Sequence, residues 1–201
     1  MASVVNVYNM ALGHLGAAAT VSSTTERSAE AQACNTFYET ALKATLRDFK
    51  PSEVNCYKTL SLIEEDPVDE WDFSYDYPSD VLIIHRVLSG LRNDSHDSRV
   101  AFEVMSDEDG RALIYCDVED AQIECTLMPK SLSIMPADFI LGLSFRLAAY
   151  IAPLITKGDP FKLGARALQL YAIEIRNAVA NSRNQNQPDV EPESDHVRSR
   201  G

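Results

Sequence analysis

The groups in this 201-residue chain that could do chemistry are four histidines, four cysteines and several close pairs of acids. His14, His85, His96 and His196 stand far apart along the chain. Asp94, His96 and Asp97 share one short stretch and have the donor types of a metal site, but the stretch reads as a solvated polar loop. Glu64-Glu65-Asp66 and Asp69-Glu70 have the composition of a glycosidase acid pair. Such a pair needs a set separation and one carboxyl of raised pKa, and a hydrated linker is the better reading. The chain has no G-x-S-x-G, no H-E-x-x-H, no phosphate-cradling glycine loop and no G-x-G-x-x-G. The expectation is therefore no catalytic residue, no metal ligand and no cofactor.

Cys34, Cys56, Cys116 and Cys125 form no CxxC pair and have no zinc-type spacing. Thiols inside apolar segments behave as small buried hydrophobes, and a reducing cytosolic site of assembly suits them. Eighteen bases against thirty acids leave a formal net charge of −12. Such a chain gains nothing from counterion release, so sequence-specific DNA binding is not expected, although an acidic wall would keep passing DNA from sticking. Phe139 to Ile155 is apolar but shorter than the roughly 20 residues a bilayer requires, and it carries Arg146 and Pro153. A buried core helix is expected there, with no membrane partner.

The elements that must position these groups show in the hydrophobic period. Ser3 is an N-cap for a helix to about Leu15, with Val4, Val7, Tyr8, Ala11, Leu12 and Leu15 on one stripe and Gly16 as its stop. Ser23-Thr24-Thr25-Glu26 has the form of a capping box, so a second helix is expected to start near it. Cys34, Phe37, Tyr38, Ala41, Leu42, Leu46 and Phe49 supply its buried face, and Pro51 ends it. The period then changes to two: Trp71, Phe73, Tyr75 and Tyr77 alternate with polar residues. On a strand these four rings share one face, as core or interface aromatics. Further strands are expected at 81–88, 99–105, 111–116 and 122–127, with a turn at Ser106 to Gly110. Helices resume at Pro136 and after Asp159-Pro160, and Phe161, Ala165, Leu168, Ala172, Ile175 and Val179 form a seam on the last one.

The expected fold class is α+β: an antiparallel four-helix bundle from residues 1–50 and 131–181, with a small antiparallel β insert between helices 2 and 3 at 51–130. Residues 182–201, rich in Asn, Gln, Pro and acids, are expected to be an extended or disordered tail.

Several segments resemble the tail tubular protein A family of podoviruses, the head-to-tail adaptors beneath the portal. Asn9-Met10-Ala11-Leu12-Gly13-His14-Leu15-Gly16 is similar to their N-x-A-L-x-x-L-G opening. Ser28-Ala29-Glu30-Ala31, Cys34, Phe37-Tyr38 and Leu46-Arg47-Asp48-Phe49 resemble their S-x-E-A…C…FY…LR signature. Tyr75-Asp76-Tyr77-Pro78-Ser79-Asp80 matches their Y-x-Y-P-x-D segment. Pro136-Ala137-Asp138-Phe139, then Leu147-Ala148-Ala149 and Ile155-Thr156, resemble their closing helix. The motifs keep their order over most of residues 1–181.

The resemblance implies a virion structural protein, a ring of about a dozen copies assembled in the host cytoplasm. Its partners would be the portal protein, a downstream tail (nozzle or tail tubular) protein and itself, with DNA passing through the channel. The C-terminal segment would embrace the portal, which makes Asn184, Pro188, Val190, Pro192, His196, Val197, Arg198 and Arg200 the expected contact residues. A virion-associated peptidoglycan hydrolase and a non-virion assembly factor are the alternatives.

Overall fold

The computed structural model describes residues 2–68, 70–91 and 98–185. Along them run α1 (Val4–His14), α2 (Ala29–Phe49), β1 (Asn55–Thr59), β2 (Leu62–Val68), β3 (Trp71–Asp76), β4 (Val81–Val87), β5 (Glu103–Ser106), β6 (Ala112–Cys116), β7 (Gln122–Leu127), α3 (Ala137–Ile155) and α4 (Leu163–Gln185).

Local chemistry sets most of these boundaries. Ser3 Oγ accepts from the Asn6 N–H at 3.2 Å, and Gly16 takes a φ of 70° so that the Ala17 N–H reaches the Leu12 carbonyl. The second helix begins later than its sequence signal suggests. Glu26 Oε2 accepts from both the backbone N–H and the hydroxyl of Ser22, so Ser22–Glu26 closes a turn of its own. Ser28 caps α2 instead, its Oγ accepting from the Ala31 N–H at 3.3 Å. The expected hairpin is present, with β5 and β6 joined through Asp107–Gly110 and Gly110 at a φ of 79°.

The four-helix bundle with a small insert is overturned. Among the described residues there are four helices and two antiparallel sheets of seven strands in all. One sheet has the order β1-β7-β4 and the other β2-β3-β6-β5. The sheets pack on each other, with Tyr75, Ile114 and Cys116 of one sharing a core with Val81, Val87, Ile123 and Cys125 of the other. This core is separate from the one among the helices, so the strands form a unit with its own interior rather than an appendage. β1 and β2 carry no alternating pattern. β2, Leu62 to Val68, holds three acids and Pro67, and it forms because an edge strand needs ladder bonds on one side only.

The helices also depart from a bundle. α1, α2 and α4 each pack on α3 and far less on one another. From Phe139 to Ala152 no residue of α3 is exposed. Phe139, Leu143, Leu147 and Ile151 are fully buried, each contributing roughly 1.5–3 kcal/mol over exposure. Enclosure on three sides accounts for a helix apolar enough, by length and composition alone, to cross a membrane. Arg146 lies inside this enclosure. Its Nη1 donates to Asp48 Oδ2 (2.5 Å) and to the Tyr171 hydroxyl (2.7 Å), while Tyr171 donates to the same Asp48 oxygen at 2.6 Å. One guanidinium thus ties α3 to α2 and α4.

The seam on α4 differs from the expected stripe by one residue. Gly164, Ala167, Tyr171 and Ala178 are the buried positions, each one before Ala165, Leu168, Ala172 and Val179. One residue turns a helix by about 100°, so the expected stripe is only partly in the contact: Ile175 and Val179 pack against the helical core, while Phe161, Ala165 and Leu168 are exposed. The reason is steric. A Cβ on Gly164 would lie 2.9 Å from Ala152 Cβ and 3.1 Å from the Ala149 carbonyl oxygen, and so close a crossing admits only small residues. The Ala149 carbonyl also lacks its helical donor, because Pro153 has no N–H.

Gly164→Val should cost about 1–3 kcal/mol by overpacking this crossing, lowering the melting temperature by about 2–4 °C per kcal/mol. Leu168→Ala, one turn away and half exposed, should stay within about 0.5 kcal/mol in the same thermal melt.

Candidate functional site

The face of the β1-β7-β4 sheet turned away from the other sheet is polar. Cys56, Ile84, Val87, Ile123 and Cys125 face the shared core, so strand alternation sends Asn55, Tyr57, Glu124 and Thr126 the other way. A register shift between Ile84 and Arg86 brings His85 and Arg86 to this same side, opposite Thr126 and Glu124. α2 ends above the sheet at Lys50, which holds a left-handed backbone with a φ of 52°. Together Lys50, Asn55, His85, Arg86, Arg99 and Glu124 line a hollow of about 390 Å³.

Its hydrogen bonds form a directed chain. The Thr126 hydroxyl, fully buried, donates to Asn55 Oδ1 at 2.7 Å. Having given up its proton, Thr126 Oγ1 accepts from His85 Nε2 at 2.8 Å, which places the proton of the neutral ring on Nε2 and leaves Nδ1 as an acceptor. Burial, aided by the nearby Lys50 ammonium, holds the His85 pKa below 6.5, against a smaller opposite pull from Glu124. Arg86 Nε donates to Glu124 Oε2 at 2.7 Å. Three cations therefore meet one carboxylate in a chain whose overall charge is −12. The arrangement suits the holding of an anionic group rather than the activation of a nucleophile.

Apart from His85, the residues singled out from the sequence fall elsewhere. Tyr75 is 1% exposed and donates its hydroxyl to the Val118 carbonyl at 2.7 Å, and Phe73 and Tyr77 pack in the same core. Trp71 is half-buried, with its Nε1 enclosed and without an acceptor among the described residues. Glu64 pairs across the ladder with Ser74 and Glu65 with Phe73, so their carboxylates leave opposite faces of β2 and form no pair. Asp69 and the Asp94, His96 and Asp97 loop lie outside the described residues. So do Pro188, Val190, Pro192, His196, Val197, Arg198 and Arg200, while Asn184 falls in the last turn of α4.

One further Ser–His pair lies outside the hollow, and its serine is enclosed. His14 Nε2 lies 3.0 Å from Ser144 Oγ, but Ser144 is fully buried inside α3 and donates its proton to the Leu141 carbonyl. The thiols are spent on packing. Burial pushes Cys34 up to about 11 and Cys125 up to about 12, and Cys125 faces Cys56 across the β1–β7 ladder with the sulfurs 3.6 Å apart.

No protein-family model matches the chain, and no curated protein matches it.

His85 and His14 both have pKa values lowered by burial, so the unfolded chain takes up their protons before the folded one does. The stability they supply is complete above the ordinary value of 6.5 and is lost as pH falls through the lowered folded values. Denaturant midpoints should therefore drop on acidification below about 6.5, less steeply in His85→Gln. Nitrogen NMR at neutral pH should show His85 as the Nε2–H tautomer.

Proposed function

We propose that this chain is a non-enzymatic structural subunit of a short-tailed phage virion, an adaptor that forms a ring of about a dozen copies beneath the portal and joins it to the tail. The observation that carries this reading is a set of large apolar side chains left exposed on α3, on the loop that follows it and on α4. Phe161 is 82% exposed, Leu154 60%, Ile173 53% and Leu168 49%. Contact with another polypeptide would give such residues a cover that water does not.

The motifs behind the family resemblance support a scaffold role, because their residues are spent on holding the fold. Asn9 bonds both backbone groups of Val21, at 2.9 and 2.8 Å, and pins the loop after α1. Asp48 anchors Arg146 and Tyr171, and Asp80 pairs with Lys58. Tyr75 and Tyr77 build the core between the sheets. In this reading the adaptor is assembled in the host cytoplasm and ends in the virion neck. Its C-terminal segment contacts the portal through Asn184, Pro188, Val190, Pro192, His196, Val197, Arg198 and Arg200. Ordering a segment on a partner costs about 2–5 kcal/mol, so single contacts are weak and repetition around the ring makes the joint durable.

Truncation after Gln185 should leave the melting temperature unchanged and abolish docking on portal rings in a pull-down. Full docking by the truncated chain rejects the contact assigned to the C-terminal segment. Mass spectrometry of purified virions should find the chain. Its absence from particles would favour an assembly factor, and clearing of a peptidoglycan zymogram would favour a hydrolase.

A further inference from the structure

Charge is distributed unevenly over the two sheets. Residues 61–76 and 103–120, which supply the strands of the β2-β3-β6-β5 sheet, hold fourteen of the thirty acids and a single base, Arg111. That base is taken up locally by Asp107 and Asp109, at 3.3 and 3.5 Å.

The ladder register shows where the acids point. Phe73, Tyr75, Ile114 and Cys116 face the three-stranded sheet, so Asp72 and Asp76 leave from the opposite surface, both exposed. Glu64, Ser74, Tyr115 and Glu103 make one cross-strand row on that same outer surface. The basic hollow lies on the outer surface of the other sheet. Its Arg99 is exposed, and so is Lys50 at the end of α2. An acidic face and a basic hollow thus occupy opposite sides of one two-layer unit.

Two complementary patches on opposite sides of one molecule are what a heterologous contact needs. Copies stack in the same sense, and each uses one patch on each neighbour. A chain of net charge −12 repels its own copies at long range, so a contact between them must pair opposite charges locally.

We propose that copies of this chain associate head to tail, with the acidic outer face of the four-stranded sheet of one copy seated against the Lys50–Arg99 hollow of the next. The proposal deepens the ring reading above, on which it rests, by naming the contact between neighbours. Lys50 and Arg99 meet Asp72, Asp76, Glu64 and Glu103 of the adjacent copy, while the exposed apolar residues of α4 are left for a different partner.

A charge swap tests the contact. The full chain is followed by sedimentation velocity over a range of concentrations, as wild type, as Lys50→Glu/Arg99→Glu and as Asp72→Lys/Asp76→Lys. All four positions are exposed, and circular dichroism checks that each variant is folded. Wild type should self-associate, and each variant alone should do so at least about tenfold more weakly. An equal mixture of the two variants should recover association, because the acidified hollow of one then meets the basic sheet of the other. The contact is overturned by a wild type that stays monomeric throughout, by variants that associate as wild type does, or by a mixture that does not recover. Wild-type rings insensitive to the swap would reject this contact and leave the adaptor reading standing. Absence of the chain from purified virions would reject the adaptor reading whatever the swap shows.

Discussion

Between Phe139 and Ala152, α3 has no exposed residue, and the rest of the helical unit is arranged to keep it so. A helix apolar on every side is stable in water only if other elements cover it, and α1, α2 and α4 each take one side. Arg146 raises the demand, because a guanidinium within that cover must be paired. Asp48 from α2 and Tyr171 from α4 supply the acceptors, and the Tyr150 hydroxyl accepts from Nε at 3.1 Å. The tight crossing at Gly164 follows from the same requirement, since α4 must approach closely enough for Tyr171 to reach Asp48.

The strand unit has a different organising element. β7 lies between β1 and β4, and its alternation divides the unit into an apolar interior and a polar exterior. Inward, Ile123 and Cys125 meet the core around Tyr75. Outward, Glu124 and Thr126 orient Arg86 and His85, and the end of α2 closes the space above them. The hollow therefore exists only because a helix terminus and a sheet face meet, and it stays polar because its buried hydroxyl is satisfied on both sides by Asn55 and His85.

Local signals in the sequence were most legible where one short segment contains the whole interaction. Ser3 and Gly16 bracket α1, Gly110 turns the β5–β6 hairpin, and β7 covers 122–127 as its apolar alternation indicates. Legibility failed where two segments compete or cooperate. The Ser23–Glu26 capping box is a valid helix start that lost to Ser28, because Glu26 is held by Ser22. β2 was hidden by its acids and Pro67, since an edge strand is formed by its neighbour more than by its own propensity. Of the residues lining the hollow only His85 stands out by type, and none does by spacing. They come from five places between Lys50 and Glu124, and only the sheet and the end of α2 bring them together.

What the sequence determined by itself was the character of each element: where chain period changes from helix to strand, which faces are apolar, and that the chain is strongly acidic. Those properties depend on contacts a few residues apart. Tertiary structure alone decided that the strands make two sheets with their own core, that α3 is enclosed by three helices, and which stripe of α4 is buried. That last choice turns on steric fit between helices distant in sequence: Gly164 and Ala167 admit a close approach where Leu168 does not, and the apolar residues left over face outward.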